Sequence, residues 1–194
     1  MGRVVLGSGK LYVKEFVDTI PQDSDIEQDE NLLGLIQGGA SLTYTPSFYV
    51  AKDDLGLVSK KFITEEVVIL KSGIMTWCGN TLQKLSSTAR IEEDKSTKTR
   101  TVKIGGASNY DRKKYIIHFL HKDEADGDIR VTIVGSNEAG FELAFAKDKE
   151  TVINAEFKAQ PCDSEGTLVI FKEIDKTIPD ELNEGKFKEK GGEH

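Results

Sequence analysis

Short apolar segments with a period of two residues recur along this 194-residue chain and constrain its fold more than any other feature. In residues 40–51, apolar side chains from Ala40 to Val50 occupy one parity and small polar residues occupy the other, with Pro46 as a sign of an edge or a bulge. Such alternation predicts a half-buried β-strand. Segments rich in β-branched and aromatic residues predict further strands at 3–17, 62–71, 113–121, 128–134, 141–146, 151–159 and 167–174.

The periodicity changes to that of a helix in one place. After Ser72, which can cap a helix, apolar residues recur at spacings of three and four. We therefore predict one amphipathic helix near residues 72–87. Its buried face is predicted to contain Ile74, Trp77, Cys78, Leu82 and Leu85. Cys78 is interpreted as a small core residue and not as a nucleophile, because it lies on this apolar stripe. Many strands and one helix predict a mainly β domain.

The composition excludes several classes of protein. A hydrophobic fraction of 38% and a charged fraction of 30% are typical of a globular chain, and no apolar run is long enough for a membrane anchor. The formal net charge is −7, which argues against wrapping of nucleic acid by a basic surface. Two cysteines far apart in the sequence, Cys78 and Cys162, do not indicate a disulfide framework.

Three segments lack the strand pattern. Residues 18–38 contain six acidic residues, no lysine or arginine, and a short apolar patch near their end. We predict a long loop here, and loops of this length are commonly functional. Residues 90–103 are acidic first and basic afterwards, which indicates a charged hairpin or loop followed by a strand. Beyond residue 175 the chain is polar and rich in glycine and charge, so we predict a domain at 1–175 and a flexible C-terminal arm at 176–194.

Motifs for catalysis or metal binding are incomplete. The run G-S-G-K at 7–10 has Val4 where a phosphate-binding loop needs glycine and Leu11 where it needs a hydroxyl. His118 and His121 would lie on opposite faces of a strand, which prevents both from binding one metal. The acidic turn at 123–128 is too short for an EF-hand and is flanked by strands. We predict no enzymatic activity, no metal and no cofactor.

Four stretches of the chain resemble the tail tube (major tail) proteins of tailed bacteriophages and prophages. They are G-S-G-K-L-Y-V near the start, G-G-A-S-L-T-Y-T-P, F-I-T-E-E-V-V-I-L-K-S-G-I-M-T-W, and A-E-F-K-A-Q-P-C-D-S-E-G-T-L-V-I-F near the end. The resemblance extends over most of residues 7–174 and consists of strand patterns and turns. It implies a β-sandwich (tail-tube fold) with one flanking helix, related to the tubes of contractile tails and of type VI secretion.

The resemblance also implies a function and partners. Members of this family form six-fold rings that stack into a hollow tube through which phage DNA passes without specific binding. The expected partners are further copies of the chain, the tape-measure protein, the tail-tip or baseplate complex and the tail terminator. Assembly in the host cytoplasm and a final location in the virion are expected. An acidic or neutral lumen would let DNA slide, which agrees with the negative net charge.

Contacts between subunits and rings are predicted in the acidic loop and the charged hairpin. The residues are Asp23, Asp25, Glu27, Asp29, Glu30, Leu32, Leu33, Leu35, Ile36, Glu92, Glu93, Asp94, Lys95, Lys98 and Arg100. Two alternatives stay open. One is a ring-forming baseplate, decoration or secretion-tube component, and the other is an enzyme or carbohydrate-binding module of the jelly-roll type.

Overall fold

Nine β-strands make up most of the part of the chain that the structure describes. This computed structural model describes residues 9–55, 57, 59–124 and 127–174. Its strands are β1 (Lys10–Phe16), β2 (Leu32–Lys52), β3 (Ser59–Ile74), β4 (Arg90–Asp94), β5 (Thr99–Lys103), β6 (Lys114–His121), β7 (Ile129–Asn137), β8 (Ile153–Gln160) and β9 (Ile170–Glu173). The mainly β class expected from the sequence is confirmed. The beginning of the predicted first strand and the predicted C-terminal arm lie outside the described residues.

Antiparallel pairing joins seven of the strands into one sheet that closes on itself. The order is β6-β1-β2-β3-β8-β7-β9, and an additional pairing of β6 with β7 completes the circuit. β8 pairs with the end of β7, and β9 pairs with its beginning. The two facing layers expected of a sandwich are thus joined into one continuous sheet. β4 and β5 form a separate hairpin, which is one of the two alternatives that the charge pattern of 90–103 indicated.

The main core lies inside this closed sheet. Alternate side chains of each strand point inward, because successive residues of a strand face opposite sides. Fully buried examples are Leu11 and Val13 of β1, Ile117 of β6, Ile133 of β7 and Phe157 of β8. Side chains outside the strands also cover this core, among them the half-buried Trp77 and Leu82.

A second apolar cluster lies on the outer face of β1, β6 and β7. Its members are Tyr12, Ile116, Leu120 and Val134, which alternate with the inward-pointing residues of the same strands. Residues 17–31, which we call the acidic cover, lie over this cluster and bury Ile26 completely. The acidic loop predicted at 18–38 is therefore packed against the body along much of its length.

The acidic cover contains the first of two short helices. They are α1 (Asp23–Ile26) and α2 (Gly79–Leu85), with short 3₁₀ turns at Asp29–Asn31 and Ala107–Asn109. α2 corresponds to the helix predicted at 72–87, but it is much shorter than predicted.

The prediction was wrong for the first half of that helix. Ser72 and Ile74 belong to β3, because the ladder to β8 continues until Ile74 faces Ile153. Cys78 was predicted to be buried, yet it is exposed at the N-terminal end of α2. Leu85 is buried as expected.

Two strand predictions also need correction. Residues 141–146 form no strand, although Phe141 and Leu143 pack against the core. Their alternation reflects side-chain packing without a backbone ladder. Conversely, β2 begins at Leu32, inside the segment predicted as a loop. Gly34 permits this, because a Cβ there would lie 2.1 Å from the carbonyl oxygen of Thr76.

Removing the same side chain from the core and from the far end of β2 should have very different effects. We expect Phe157→Ala to lower the free energy of unfolding by about 3–5 kcal/mol, because it leaves a cavity in the closed sheet. Phe48→Ala should cost less than about 1 kcal/mol in the monomer, because Phe48 is 46% exposed. Urea unfolding followed by circular dichroism measures both changes, and similar losses would contradict this division of the chain.

Candidate interaction surface: a projecting hairpin

The outer parts of β2 and β3 extend beyond the closed sheet as a two-stranded ribbon. Pairing of β2 with β1 involves residues 32–35, and pairing of β3 with β8 involves residues 69–74. Outside these stretches, β2 and β3 pair with each other as far as Lys52 and Ser59. We call residues 44–67 the projecting hairpin. At about 3.3 Å per residue, nine residues of β2 make it about 30 Å long.

Large apolar side chains are exposed on both faces of the projecting hairpin. Phe48 faces Ile63 across the ladder, and Tyr49 faces Phe62 on the opposite side of the ribbon. Their exposed fractions are 46%, 55%, 61% and 43%, respectively. The half-buried strand predicted at 40–51 is therefore wrong for its outer part, where the body does not cover either face.

Charged groups on the hairpin pack against its own aromatic rings. The Nζ atom of Lys61 lies 3.7 Å from the centre of the Phe48 ring, and that of Lys60 lies 5.0 Å from the centre of the Phe62 ring. The Tyr44 hydroxyl donates a hydrogen bond to Oε1 of Glu66 at 2.7 Å, and this bond raises the pKa of Tyr44. Exposed contacts of this kind contribute little to the stability of the hairpin. They can be broken at low cost when another molecule binds to the aromatic rings.

The physical properties of the projecting hairpin indicate a surface that binds another molecule. A lone two-stranded ribbon is marginally stable in water, and its open edges can pair with other strands. Contiguous exposed apolar surface commonly marks an interaction site. The tip adds Leu55 and Leu57, which are 79% and 81% exposed.

A β-bulge interrupts the β2–β3 ladder within the body, several residues before the projecting hairpin begins. The ladder between β2 and β3 is interrupted from Gln37 to Ala40. Gly38 and Gly39 lie within this interruption with φ of 81° and 79°, a conformation that glycine adopts without strain. Across the ladder, a Cβ on Gly73 would lie 2.5 Å from the Gln37 carbonyl oxygen. Glycines on both strands therefore shape the ladder at this bulge.

The acidic residues that were predicted to make intersubunit contacts fall into two groups, one that forms ion pairs within the chain and one that is exposed. Asp23 and Glu27 form ion pairs within the chain, to Lys172 and Arg130 respectively. Asp25, Asp29 and Glu30 are exposed. The first two are thus committed to the fold of the monomer, and the last three remain accessible to a second molecule.

The apolar patch at the start of β2 is also divided between buried and exposed positions, in a stretch where the register of the β1–β2 pairing is irregular. Leu33 is buried in the main core, Leu32 and Ile36 are half-buried, and Leu35 is 46% exposed. This patch was predicted to be an intersubunit contact. Only Leu35 offers a large apolar side chain to the outside.

In the β4–β5 hairpin, acidic and basic residues pair with each other. Glu92 bonds to Lys103 at 2.6 Å, and Glu93 bonds to Arg100 at 2.7 Å. Asp94 accepts hydrogen bonds from Ser96, first from its hydroxyl and then from its backbone N–H, which lowers the pKa of Asp94 to about 2. Lys95 and Lys98 are exposed in the turn. The idea that acid on one ring meets base on the next stays a prediction for these residues.

A groove of about 680 Å³ beside α2 contains the exposed cysteine. Burial tends to raise the pKa of Cys78, but hydrogen bonds from Thr81 and Asn80 and the charge of Arg100 lower it overall. Oγ1 of Thr81 lies 3.9 Å from the sulfur and belongs to a hydroxyl. Lys84 also lines the groove, and its Nζ donates to the carbonyl oxygen of Val13 at 2.9 Å. In the part of the chain that the structure describes, the hydrogen-bond partners of the thiol are a hydroxyl and backbone N–H groups, which do not act as general bases.

Two further properties of the described residues concern metal binding and membrane crossing. Within residues 9–55, 57, 59–124 and 127–174, no three side chains of His, Cys, Asp or Glu are grouped so that they could hold a metal ion. The helices in those ranges are all too short to cross a membrane.

No protein-family model matches this sequence, and no curated protein is significantly similar to it.

Sequence reasoning missed the projecting hairpin, although a signal was present. Tyr49 falls on the parity of residues 40–51 that was interpreted as polar, and it faces Phe62 across the ladder. Aromatic residues on both parities of a paired segment indicate a ribbon with two apolar faces, which a half-buried strand does not have.

In the monomer, the projecting hairpin should exchange its backbone hydrogens much faster than the body does. We expect its amides to exchange at least about 100-fold faster than those of β6 and β7, because opening the ribbon breaks only its own ladder. Hydrogen exchange with mass spectrometry measures this ratio. Equal protection in the two regions would contradict a hairpin that needs a partner for stability.

Proposed function

We propose that this chain is a structural virion protein that polymerises as stacked rings into the hollow tail tube of a bacteriophage or prophage. The observation that carries the proposal is the projecting hairpin, with Phe48 and Ile63 on one face and Tyr49 and Phe62 on the other. Surfaces of this kind are stabilised when a second chain covers them. The resemblance of the strand segments to tail tube proteins supports another copy of this chain as that second chain.

A hairpin that binds the body of a neighbour makes a head-to-tail contact, because the two joined surfaces differ. Head-to-tail contacts generate closed rings when the rotation is suitable and open filaments when it is not. The family resemblance supports a closed ring of six subunits. Stacking of rings then needs a further contact, for which Asp25, Asp29, Glu30 and Leu35 are accessible candidates.

The negative net charge supports a conduit for DNA. An acidic or neutral lumen repels phosphates and lets the duplex slide without being held. In this proposal, DNA passes through the tube without specific binding. The tape-measure protein, the tail-tip or baseplate complex and the tail terminator contact the tube during its assembly in the host cytoplasm, and the completed tube resides in the virion.

A charge placed on the projecting hairpin should prevent assembly without unfolding the subunit. We expect Phe62→Asp to raise the concentration at which rings or tubes form by at least about tenfold, because a desolvated carboxylate costs well over 1.4 kcal/mol. Phe145→Asp is the matched control, because Phe145 is also exposed but lies outside the hairpin. Negative-stain electron microscopy over a concentration series, with and without tail-tip complex, measures the effect.

The outcomes of this experiment separate the alternatives. Tubes from the wild type and from Phe145→Asp, with monomers from Phe62→Asp, would support the proposal. Single rings that never stack would favour a baseplate, decoration or secretion-tube component. Normal tubes from Phe62→Asp would contradict the role of the hairpin, and wild-type monomers that persist with tail-tip complex would contradict the polymer function.

A further inference from the structure

A cluster of ionisable side chains attaches the acidic cover to the outer face of the sheet. Glu27, the residue that follows α1, lies at its centre. Its Oε1 atom accepts a hydrogen bond from Nε of Arg130 at 2.6 Å and lies 3.2 Å from Nε2 of His118. All three side chains are largely or fully buried, with exposed fractions of 15%, 14% and 0%. One carboxylate thus connects the cover to both β6 and β7.

Further ion pairs extend the cluster. Asp23 of α1 accepts hydrogen bonds from Nζ of Lys172 on β9 at 2.8 and 3.0 Å. Nη2 of Arg130 lies 3.3 Å from Oδ2 of Asp128. The acidic cover is therefore held by ion pairs to β7 and β9 and by a hydrogen bond to β6, in addition to the apolar contact of Ile26.

The hydrogen-bond partners of His118 define the tautomer of its neutral ring. Glu27 is ionised beside Arg130 and can only accept, so Nε2 of His118 must carry a hydrogen. In the neutral ring, Nδ1 then accepts a hydrogen bond from the Thr132 hydroxyl at 2.8 Å. A second proton would require the Thr132 hydroxyl to turn and would place another cation beside Arg130.

We propose that His118, Glu27 and Arg130 form an acid-sensitive latch, in which protonation of His118 releases the acidic cover and exposes the apolar cluster beneath it. The exposed cluster consists of Tyr12, Ile116, Leu120 and Val134. This inference depends on the described monomer and not on the proposed tube.

The electrostatic environment of His118 favours the neutral ring in the closed state. Burial is the largest effect and lowers the pKa of His118, the hydrogen bond and charge of Glu27 and the charge of Asp23 raise it, and Arg130 lowers it further. From β1, the Tyr12 ring lies 6.2 Å from the imidazole, and burial raises the pKa of Tyr12, so this phenol stays neutral. The sum of these effects lowers the pKa of His118.

The sign of the pH dependence follows from this direction. The closed cover has a His118 pKa below 6.5, whereas a solvated histidine has a pKa of about 6.5. Acid therefore favours the open cover. The closed form is fully stable above about pH 6.5, and the ratio of closed to open forms falls by up to about tenfold per pH unit below it.

Hydrogen exchange of the full-length monomer at pH 7.0 and pH 5.2 tests the latch. After correction for intrinsic exchange, we expect amides of residues 20–31 to lose at least about fivefold in protection at the lower pH, while β2 within the body stays protected. Both pH values are above the ordinary pKa of carboxyl groups, which limits titration to histidine. His118→Gln should abolish the loss, because glutamine can donate to Glu27 and accept from Thr132 without titrating.

His121→Gln is the matched control, because His121 is the other buried histidine of β6. This variant should keep the full pH dependence. Unchanged protection of the wild type at pH 5.2, or an equal loss in His118→Gln, would overturn the proposal. If His118→Gln does not fold, histidine NMR titration of His121→Gln decides instead: a His118 pKa at or above 6.5 would overturn the latch, and a lower value with increased dye binding to apolar surface at pH 5.2 would support it.

Discussion

The ladder between β6 and β7 joins the two ends of the sheet, and the rest of the structure depends on it. Its residue pairs extend from Tyr115 and Gly135 to His121 and Ile129. Closure satisfies the backbone groups of both strands and gives the inward side chains a common interior. Gly135 is needed at this position because a Cβ there would lie 2.0 Å from the carbonyl oxygen of Lys158 on β8. A sheet that is closed in this way presents open edges mainly where strands leave it.

The open edges lie mainly in two places, the projecting hairpin and β9. The projecting hairpin carries unpaired edges and apolar faces, and β9 has β7 as its ladder partner among the described strands. The acidic cover closes the outer face of β1, β6 and β7, which would otherwise expose Ile116 and Leu120. The body therefore covers its own apolar surface, while the hairpin leaves apolar side chains exposed on both faces.

The sequence predicted the parts of the fold that are governed by local pattern. The strands corresponding to β6, β7 and β8 were expected from their β-branched and aromatic residues, and α2 was expected from the positions of Leu82 and Leu85. The period of two could not reveal that the sheet closes, because closure depends on which distant strands pair. It also could not separate Ile74 in a strand from Ile74 in a helix, since both bury the residue.

The candidate surface was harder to predict than the fold. Residues 18–38 were chosen for their acidity, but Glu27 is satisfied by Arg130, more than 100 residues further along the chain. Such a pairing has no local signature. The sequence pattern did not predict the projecting hairpin, because the exposure of Tyr49 and Phe62 depends on how far β2 and β3 extend beyond their neighbouring strands.

The length of the projecting hairpin has a mechanical consequence. The β3–β8 ladder ends at Ile69, so bending of the ribbon near Tyr44 disturbs only the β2–β3 ladder among the described strands. A ribbon about 30 Å long acts as a lever, and a rotation of about 10° at its base moves its tip by about 5 Å. In a polymer joined by such levers, elastic compliance would be located at the joints, and each subunit could remain rigid while the whole filament curves.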